Sequence, residues 1–186
     1  MNKKFHFLFA FVLVALVSLT STAVVRADTR VGPLLTFEVF NRDNPERLEV
    51  VRPGAGVRLV TDILSPLLAL DAGILYSNET DYYSSGNTFE EQIYRFRLGL
   101  IARVSHVGPL YLALRAGPQF SYVNNEYRLK VTGENRIDQD TLFTPYFGGE
   151  IQLLPWSGFG LQMGVAFFYE KTLEKFVPQY FFGIAL

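Results

Sequence analysis

Residues 91–123 of this chain read EQIYRFRLGLIARVSHVGPLYLALRAGPQFSYV. Apolar and polar side chains alternate along both halves of this stretch. The apolar positions are Tyr94, Phe96, Leu98, Leu100, Ala102 and Val104 in the first half, and Leu110, Leu112, Leu114, Ala116, Phe120 and Tyr122 in the second. A period of two residues is typical of a β-strand with two different faces. Gly108 and Pro109 separate the halves and indicate a tight turn, so the stretch predicts a long hairpin.

The second face of this hairpin carries arginines. Arg95, Arg97 and Arg103 lie on it in the first strand, and Arg115 lies on it in the second. Each run is longer than the usual strand of about five or six residues. Long strands with one uninterrupted apolar face are typical of barrels that cross a membrane, because lipid contacts that face while the polar face lines the interior.

The same alternation recurs along the rest of the chain. It predicts further strands at residues 34–40, 51–63, 67–77, 141–154, 159–170 and 179–186. Long polar connections follow the first, third and fifth strands, a shorter one follows the seventh, and tight turns follow the others. Outer-membrane barrels arrange their extracellular loops and periplasmic turns in this way. We therefore predict an all-β fold, an eight-stranded antiparallel up-and-down transmembrane β-barrel.

The first residues have the pattern of a targeting segment. Lys3 and Lys4 precede an apolar run at residues 7–19, and Val25-Arg26-Ala27 is predicted to be the cleavage site before Asp28. The apolar run is shorter than the roughly 20 residues that a spanning helix needs, which favours a cleaved signal over an uncleaved anchor. We predict a cleaved signal peptide at residues 1–27 and an outer-membrane barrel at residues 28–186.

Composition narrows the possible partners. The net charge of −1 over 186 residues gives no reason to expect nucleic acid binding. Aromatic residues make up 15% of the chain, as expected where rings line a membrane–water interface. The chain has 0 Cys, and a closed barrel satisfies its own backbone hydrogen bonds without disulfides.

The charges on the polar faces indicate which face is inside. A secreted lipocalin-like carrier would place the apolar faces inside and the charges outside. A charge facing lipid at mid-depth costs about 2–4 kcal/mol for Arg or Lys, and the apolar faces carry none. On the other faces, five arginines balance five carboxylates, which are Arg58, Arg95, Arg97, Arg103 and Arg115 with Glu38, Asp62, Asp71, Glu150 and Glu170. Because a closed lumen must pair its charges, we predict that these residues form a lumen charge network with a structural role.

Together these features resemble one group of known proteins. The alternating strands, the balanced lumen and the closing segment Tyr180-x-Phe182-x-Ile184-x-Leu186 resemble the small outer-membrane barrels of Gram-negative bacteria, the OmpA transmembrane-domain, OmpX and Ail-like group. The resemblance implies insertion in the outer membrane. It also implies that the barrel assembly machinery reads the C-terminal strand, although Leu186 stands where the group usually has Phe or Trp. It transfers no ligand or activity.

Few residues suggest chemistry. Outside the signal the one histidine is His106, which neighbours Ser105 and is predicted to lie in a periplasmic turn. No His/Cys cluster or phosphate-binding loop is present, so we predict no enzymatic activity, no cofactor and no metal. The predicted loops carry acidic residues interpreted as solvated charge, among them Glu79, Asp81 and Glu91. They also carry cations suited to lipopolysaccharide phosphate, which are Arg42, Arg47, Arg128, Lys130, Arg136, Lys171 and Lys175.

These observations lead to one functional prediction and several alternatives. We predict a non-enzymatic barrel with a structural or surface-interaction role, contacting outer-membrane lipid, lipopolysaccharide or an unnamed partner through its long loops. The alternatives are a small pore, a lipid-modifying barrel enzyme and a secreted lipocalin-like carrier.

Overall fold

The computed structural model describes residues 28–40, 50–63, 65–83, 85–154, 159–170 and 174–186. The predicted signal peptide lies outside these residues, so it stays a prediction. The strands are β1 (Thr29–Phe40), β2 (Val50–Ile63), β3 (Ser65–Tyr82), β4 (Thr88–Val107), β5 (Leu110–Arg128), β6 (Asn135–Leu153), β7 (Gly160–Glu170) and β8 (Lys175–Ala185).

The eight strands form a closed barrel in chain order. Each strand pairs antiparallel with the next, and β8 pairs antiparallel with β1 between Leu34↔Gly183 and Glu38↔Gln179. The predicted fold class is therefore confirmed. A β structure in lipid must be closed, because backbone groups at an open sheet edge would have no hydrogen-bond partners there. The pairing of β8 with β1 provides this closure. The described residues contain no helix long and apolar enough to cross a bilayer.

The barrel wall is apolar outside and charged inside. Leu98, Leu100 and Val104 are 51%, 49% and 56% exposed, respectively. Arg95 and Arg97, on the same strand, are only 1% and 4% exposed. A soluble carrier needs the opposite arrangement, because its outer surface must be hydrated. The apolar exterior of the barrel suits contact with lipid, and the charged side chains of the same strands point into the lumen, away from the bilayer.

Strands β3, β4 and β6 extend further outward than the sequence pattern predicted, whereas the alternation of residues 126–131 already allowed β5 to do so. Residues predicted as the polar connections 78–90 and 124–140 mostly continue β3, β4, β5 and β6, and the loops shrink to residues 83–87 and 129–134. The prediction stopped where the apolar face stopped. Above the lipid the alternation continues with polar residues, so hydrophobicity no longer marks the strand. Gly86 and Gly133 adopt positive φ where these hairpins turn.

The outer part of β6 has a neighbour on one side only within the described barrel. β6 pairs with β5 over its full length, but its pairing with β7 begins at Tyr146↔Phe168. Pro145, which has no backbone N–H to donate, stands where that pairing begins. Nearby, the backbone N–H of Thr141 donates to Asp140 Oδ1 at 2.8 Å. The β5–β6 hairpin therefore rises above the shorter β7 and β8.

Candidate functional site

The lumen collects the charged residues that the sequence singled out. All ten side chains of the predicted network point into the barrel. Nine belong to buried residues, which are Glu38, Arg58, Asp71, Arg95, Arg97, Arg103, Arg115, Glu150 and Glu170. The side chain of the tenth, Asp62, is 20% exposed and lies near the end of the barrel with the short turns, which is the predicted periplasmic end. Within the lumen most of these residues separate into two clusters.

The inner cluster consists of Arg58, Asp71, Arg115 and Glu150. Asp71 Oδ1 accepts a hydrogen bond from Arg58 Nε at 2.7 Å, and Asp71 Oδ2 accepts one from Arg115 Nη2 at 2.5 Å. Glu150 Oε2 lies 2.8 Å from Arg58 Nη2 and 3.4 Å from Arg115 Nη1. Each acid contacts both bases, so the four charges neutralise one another in a closed ring. Tyr146 Oη also donates to Asp71 Oδ2, at 2.9 Å.

The outer cluster surrounds Glu38 and consists of Glu38, Arg52, Glu79, Glu91 and Arg95. Glu38 Oε1 lies 2.7 Å from Arg95 Nη1, and Glu38 Oε2 lies 2.9 Å from Arg52 Nη1. Arg52 also lies 3.5 Å from Glu79 Oε2 through its Nε and contacts Glu91 through its Nη2. This cluster occupies the outer half of the lumen, where β3 and β4 extend beyond β7 and β8.

Three members of the outer cluster were not predicted as lumen residues. Glu79 and Glu91 were interpreted as solvated loop charge, but they are 5% and 4% exposed, and Arg52 is 2% exposed. Asp81, interpreted in the same way, is 3% exposed and also points inward. The signal that could have found them is parity. Arg52 lies two residues before Gly54 within the predicted strand 51–63, so the strand period assigns it to the inner face. Glu79 lies two residues after Ser77, so extending the predicted strand by two residues assigns it to the same face.

Arg97 lies between the two clusters and is bonded differently. Its Nε donates to Gln119 Oε1 at 2.6 Å and its Nη1 donates to Gln179 Oε1 at 2.5 Å. Gln179 in turn donates through Nε2 to Glu38 Oε1 at 2.6 Å. Amide side chains therefore connect Arg97 to the outer cluster without a direct ion pair.

Aromatic rings pack against the arginines through the middle of the lumen. The Arg95 and Arg97 guanidinium carbons lie 4.7 and 5.8 Å from the centre of the Phe168 ring. Those of Arg97 and Arg115 both lie 5.1 Å from the centre of the Tyr146 ring. Cation–π contacts of this kind are stronger where water is excluded. Rings and guanidinium groups therefore pack against one another through the middle of the lumen.

Solved structures with the same architecture exist, although no known protein family and no curated protein matches the sequence. A major outer membrane protein of Thermus thermophilus is 10% identical, with a TM-score of 0.62 over 84% of this chain and 98% of that one. Ail of Yersinia pestis, solved with the heparin analogue sucrose octasulfate, is 12% identical, with a TM-score of 0.59 over 84% of this chain and 95% of that one. Neisserial surface protein A is 12% identical, with a TM-score of 0.58 over 86% of this chain and 96% of that one.

The chain has the fold of the small outer-membrane β-barrels. The resemblance to the OmpA, OmpX and Ail-like group is thus confirmed at the level of fold. The predicted location in the outer membrane agrees with this fold and with the apolar exterior of the wall. At these identities the likeness concerns the fold alone.

The periplasmic end of this barrel holds a smaller set of polar residues. Arg103 Nη1 donates to Asp62 Oδ1 at 2.7 Å, and Arg103 Nε donates to Gln152 Oε1 at 2.7 Å. His106 is exposed near the end of β4, where its ring centre lies 5.6 Å from that of Tyr111. It was predicted to lie in a turn, but the strand continues to Val107. Among the residues described, no group of three or more His, Asp or Glu side chains is arranged to hold a metal ion.

The outer rim of this barrel carries a cleft between two hairpins. The cleft has a volume of about 300 Å³, and its lining includes Gly86, Arg128, Lys130, Glu134 and Asn135. The backbone N–H of Lys130 donates to Asn87 Oδ1 at 3.1 Å, which joins the β3–β4 loop to the β5–β6 loop. Two of the predicted rim cations, Arg128 and Lys130, therefore meet at this cleft. Arg42, Arg47 and Lys171 lie outside the described residues.

Proposed function

We propose that this chain is a non-enzymatic integral outer-membrane barrel whose outer hairpins bind a polyanion. The phosphates of lipopolysaccharide or a sulfated partner would supply the anionic groups. The observation that carries the proposal is the cleft at which the loops of two hairpins meet, whose lining brings Arg128 and Lys130 together beside one carboxylate, Glu134. Arg128 keeps 62% of its side-chain exposure although its Nε donates to Glu126 Oε1 at 2.8 Å.

Chemistry supports a polyanion as the ligand of this cleft. Guanidinium groups bind phosphate and sulfate oxygens through paired N–H donors, and Lys130 adds a charge from the neighbouring loop. Arg136, with 76% of its side-chain exposure, stands one residue beyond the cleft on β6. Ail, which shares this fold, was solved with a heparin analogue, a sulfated ligand.

The lumen supports a structural role for the barrel interior. Its middle is occupied by ion pairs and by aromatic rings, and an eight-stranded barrel has room only for packed side chains. This favours a filled barrel over the pore alternative. Ser105 and His106 occupy consecutive positions near an exposed strand end, which does not favour a catalytic pair. We also propose that Tyr180 and Phe182, 51% and 41% exposed on the outer face of β8, belong to the segment that the barrel assembly machinery reads.

The test is binding of two probes to the purified, detergent-solubilised barrel. Sucrose octasulfate and lipopolysaccharide micelles would be titrated against the wild type and against the double variant Arg128→Gln/Lys130→Gln. Loss of both cations should weaken binding at least about tenfold, and added salt should weaken wild-type binding because the contact is exposed. Arg30→Gln, near the start of β1 at the opposite end of the barrel, is the control and should bind like the wild type.

The two probes separate the sources of the anion. If the barrel binds lipopolysaccharide but not dephosphorylated lipopolysaccharide, the lipid phosphates are the groups that it recognises. Binding of sucrose octasulfate alone would identify a sulfated partner. Equal affinity of the wild type and the double variant for both probes would refute the proposal.

A further inference from the structure

The cleft between the two outer hairpins holds opposite charges that do not pair. Lys130 and Glu134 both line it and both are exposed. Their side chains make no ion pair, with each other or with any residue in the described part of the chain. An ionised carboxylate accepts hydrogen bonds and repels anions. The cleft therefore suits a ligand that brings a hydrogen-bond donor as well as negative charge.

The floor of the cleft is a row of side chains from neighbouring strands. Thr88 on β4 lies opposite Arg128 on β5, and Arg128 lies opposite Asn135 on β6. Side chains directly opposite one another in a sheet share a face, so these three groups stand side by side. Glu126 Oε1 accepts hydrogen bonds from Arg128 Nε and from Asn135 Nδ2, both at 2.8 Å. Arg128 uses only its Nε in this contact, so its Nη donors can bind an anion.

An exposed aromatic ring continues this row on β3. Tyr82 lies opposite Thr88 and is 79% exposed. Paired strands lie about 4.8 Å apart, so the ring borders the cleft. The face of an aromatic ring is apolar and electron-rich, and it packs well against the C–H groups of a sugar ring. Leu129, 39% exposed, adds apolar surface to the lining. The cleft thus offers apolar contact in addition to charge.

The two loops that form the cleft are fastened to each other. The backbone N–H of Lys130 donates to Asn87 Oδ1 at 3.1 Å. The Lys130 side chain also crosses the other loop at Gly86, where an added Cβ would lie 2.6 Å from Lys130 Cδ. A site that is formed before its ligand arrives loses less conformational entropy on binding.

We propose that this cleft binds a single sugar unit that carries a phosphate or sulfate group. The anionic group lies between Arg128 and Lys130. A hydroxyl or ammonium group of the same unit donates to Glu134, and the sugar ring packs against Tyr82. The cleft volume of about 300 Å³ stands at the lower end of small-molecule sites, roughly 300–1,000 Å³, and suits one unit. The inference rests on the proposed polyanion-binding function and names the unit that is recognised.

The test compares three probes titrated against the detergent-solubilised barrel. Tripolyphosphate offers negative charge without a sugar, glucose 6-phosphate adds hydroxyl groups, and glucosamine 6-phosphate adds an ammonium group. Glu134→Ala should lower the preference for both sugar phosphates over tripolyphosphate at least about threefold, because it removes an acceptor for the sugar and a charge that repels polyphosphate. Tyr82→Ala should lower the same preference, because it removes the ring contact.

Asp138→Ala is the matched control, since it removes an exposed carboxylate of β6 that does not line the cleft. The preference of this variant should equal that of the wild type. A larger fall for glucosamine 6-phosphate than for glucose 6-phosphate in Glu134→Ala would identify the ammonium group as the donor, and equal falls would identify a hydroxyl group. Glucosamine 6-sulfate, titrated alongside, separates a sulfated source of the unit from a phosphorylated one.

The outcomes also separate this inference from the polyanion-binding function. If Arg128→Gln/Lys130→Gln weakens tripolyphosphate binding while Glu134→Ala leaves the preference unchanged, the sugar-unit inference is overturned and polyanion binding stands. Binding of tripolyphosphate without either sugar phosphate has the same meaning. If the wild type binds none of the probes, both proposals fail. The unboiled species on an SDS gel checks that each rim variant is folded.

Discussion

At the scale of single residues, Asp71 is the carboxylate on which the inner cluster depends. It accepts hydrogen bonds from Arg58, Arg115 and Tyr146, and it is 0% exposed. A buried ion pair is not a large net gain, since desolvating both partners offsets the attraction. Removing one partner is different, because the other charges stay buried and lose their neutralising neighbour.

We therefore expect Asp71→Asn to lower the free energy of unfolding by about 3–5 kcal/mol. The measurement is denaturant unfolding in lipid vesicles or detergent. Asp138→Asn is the matched control, because Asp138 keeps 57% of its side-chain exposure in its 3.2 Å pair with Arg136. An exposed ion pair contributes about 0–1 kcal/mol, so Asp138→Asn should change the free energy of unfolding by no more than that. Equal effects of the two substitutions would contradict a structural role for the inner cluster.

Tyr146 permits a finer separation of effects at the same scale. Tyr146→Phe keeps the ring against Arg97 and Arg115 but removes the hydrogen bond to Asp71. Hydrogen bonds to charged groups contribute about 1.5–3 kcal/mol, and we expect a loss in that range. Tyr146→Leu should cost more, since it also removes the ring contacts with both guanidinium groups. If Tyr146→Phe unfolds at the same denaturant concentration as the wild type, the hydroxyl does not stabilise Asp71.

At the scale of elements, glycines decide how closely the strands and their side chains fit. A Cβ at Gly148 would collide with the Val165 carbonyl oxygen on β7, whereas one at Gly73 would meet only Val57 O, at 3.5 Å. The first contact requires the β6–β7 pair to shift, and the second is an ordinary van der Waals distance.

Gly148→Ala should therefore reduce the folded fraction strongly, and Gly73→Ala should leave it near the wild-type level. The folded fraction is measured as the unboiled species on an SDS gel after refolding in detergent. Both variants add one methyl group to an inward-facing glycine, so the comparison isolates the packing. Similar folded fractions for the two variants would show that β6 and β7 can separate to accept the methyl group.

The outer part of β6 should also differ from its membrane-spanning part. Residues 135–140 pair with β5 but lie beyond the segment that pairs with β7. Their backbone amides should exchange with deuterium faster than those of residues 147–153, which have partners on both sides. Hydrogen exchange read out by mass spectrometry or NMR in micelles checks this. Equal protection of the two segments would mean that the outer part is covered in solution.

At the scale of the whole molecule, the apolar outer surface and the charged lumen mean that the barrel must be surrounded by lipid or detergent. A closed barrel with this exterior should require detergent or lipid and should resist SDS when cold. We expect the unboiled protein from an outer-membrane fraction to migrate differently from the boiled protein. Solubility without detergent, combined with no shift on boiling, would contradict the membrane location and would favour the lipocalin-like carrier.

The sequence by itself determined the fold class and the face on which each predicted lumen residue lies. Alternate residues of a strand point to opposite faces, so the assignment needs only local sequence. Once β4 is recognised as a strand, the charge of Arg95 marks the inner face and the apolar side chain of Leu98 marks the outer face. The same alternation assigns Arg52, within the predicted strand 51–63, to the interior, although the predicted network left it out. Glu79 was missed because the prediction used hydrophobicity to end the third strand at residue 77. That signal disappears above the lipid, where both faces of a strand are polar.

Only the tertiary structure decided which lumen residues meet. Arg58 donates to Gln162, 104 residues away, and Gln179 donates to Glu38, 141 residues away. These contacts form inside the closed barrel, and their identity depends on strand tilt and register rather than on any local pattern. An overall balance of charge in the sequence therefore did not reveal that Arg97 lies without a carboxylate partner among the described residues. Charge balance is a sum over the chain, whereas neutralisation in a lumen that excludes water acts over a few ångströms.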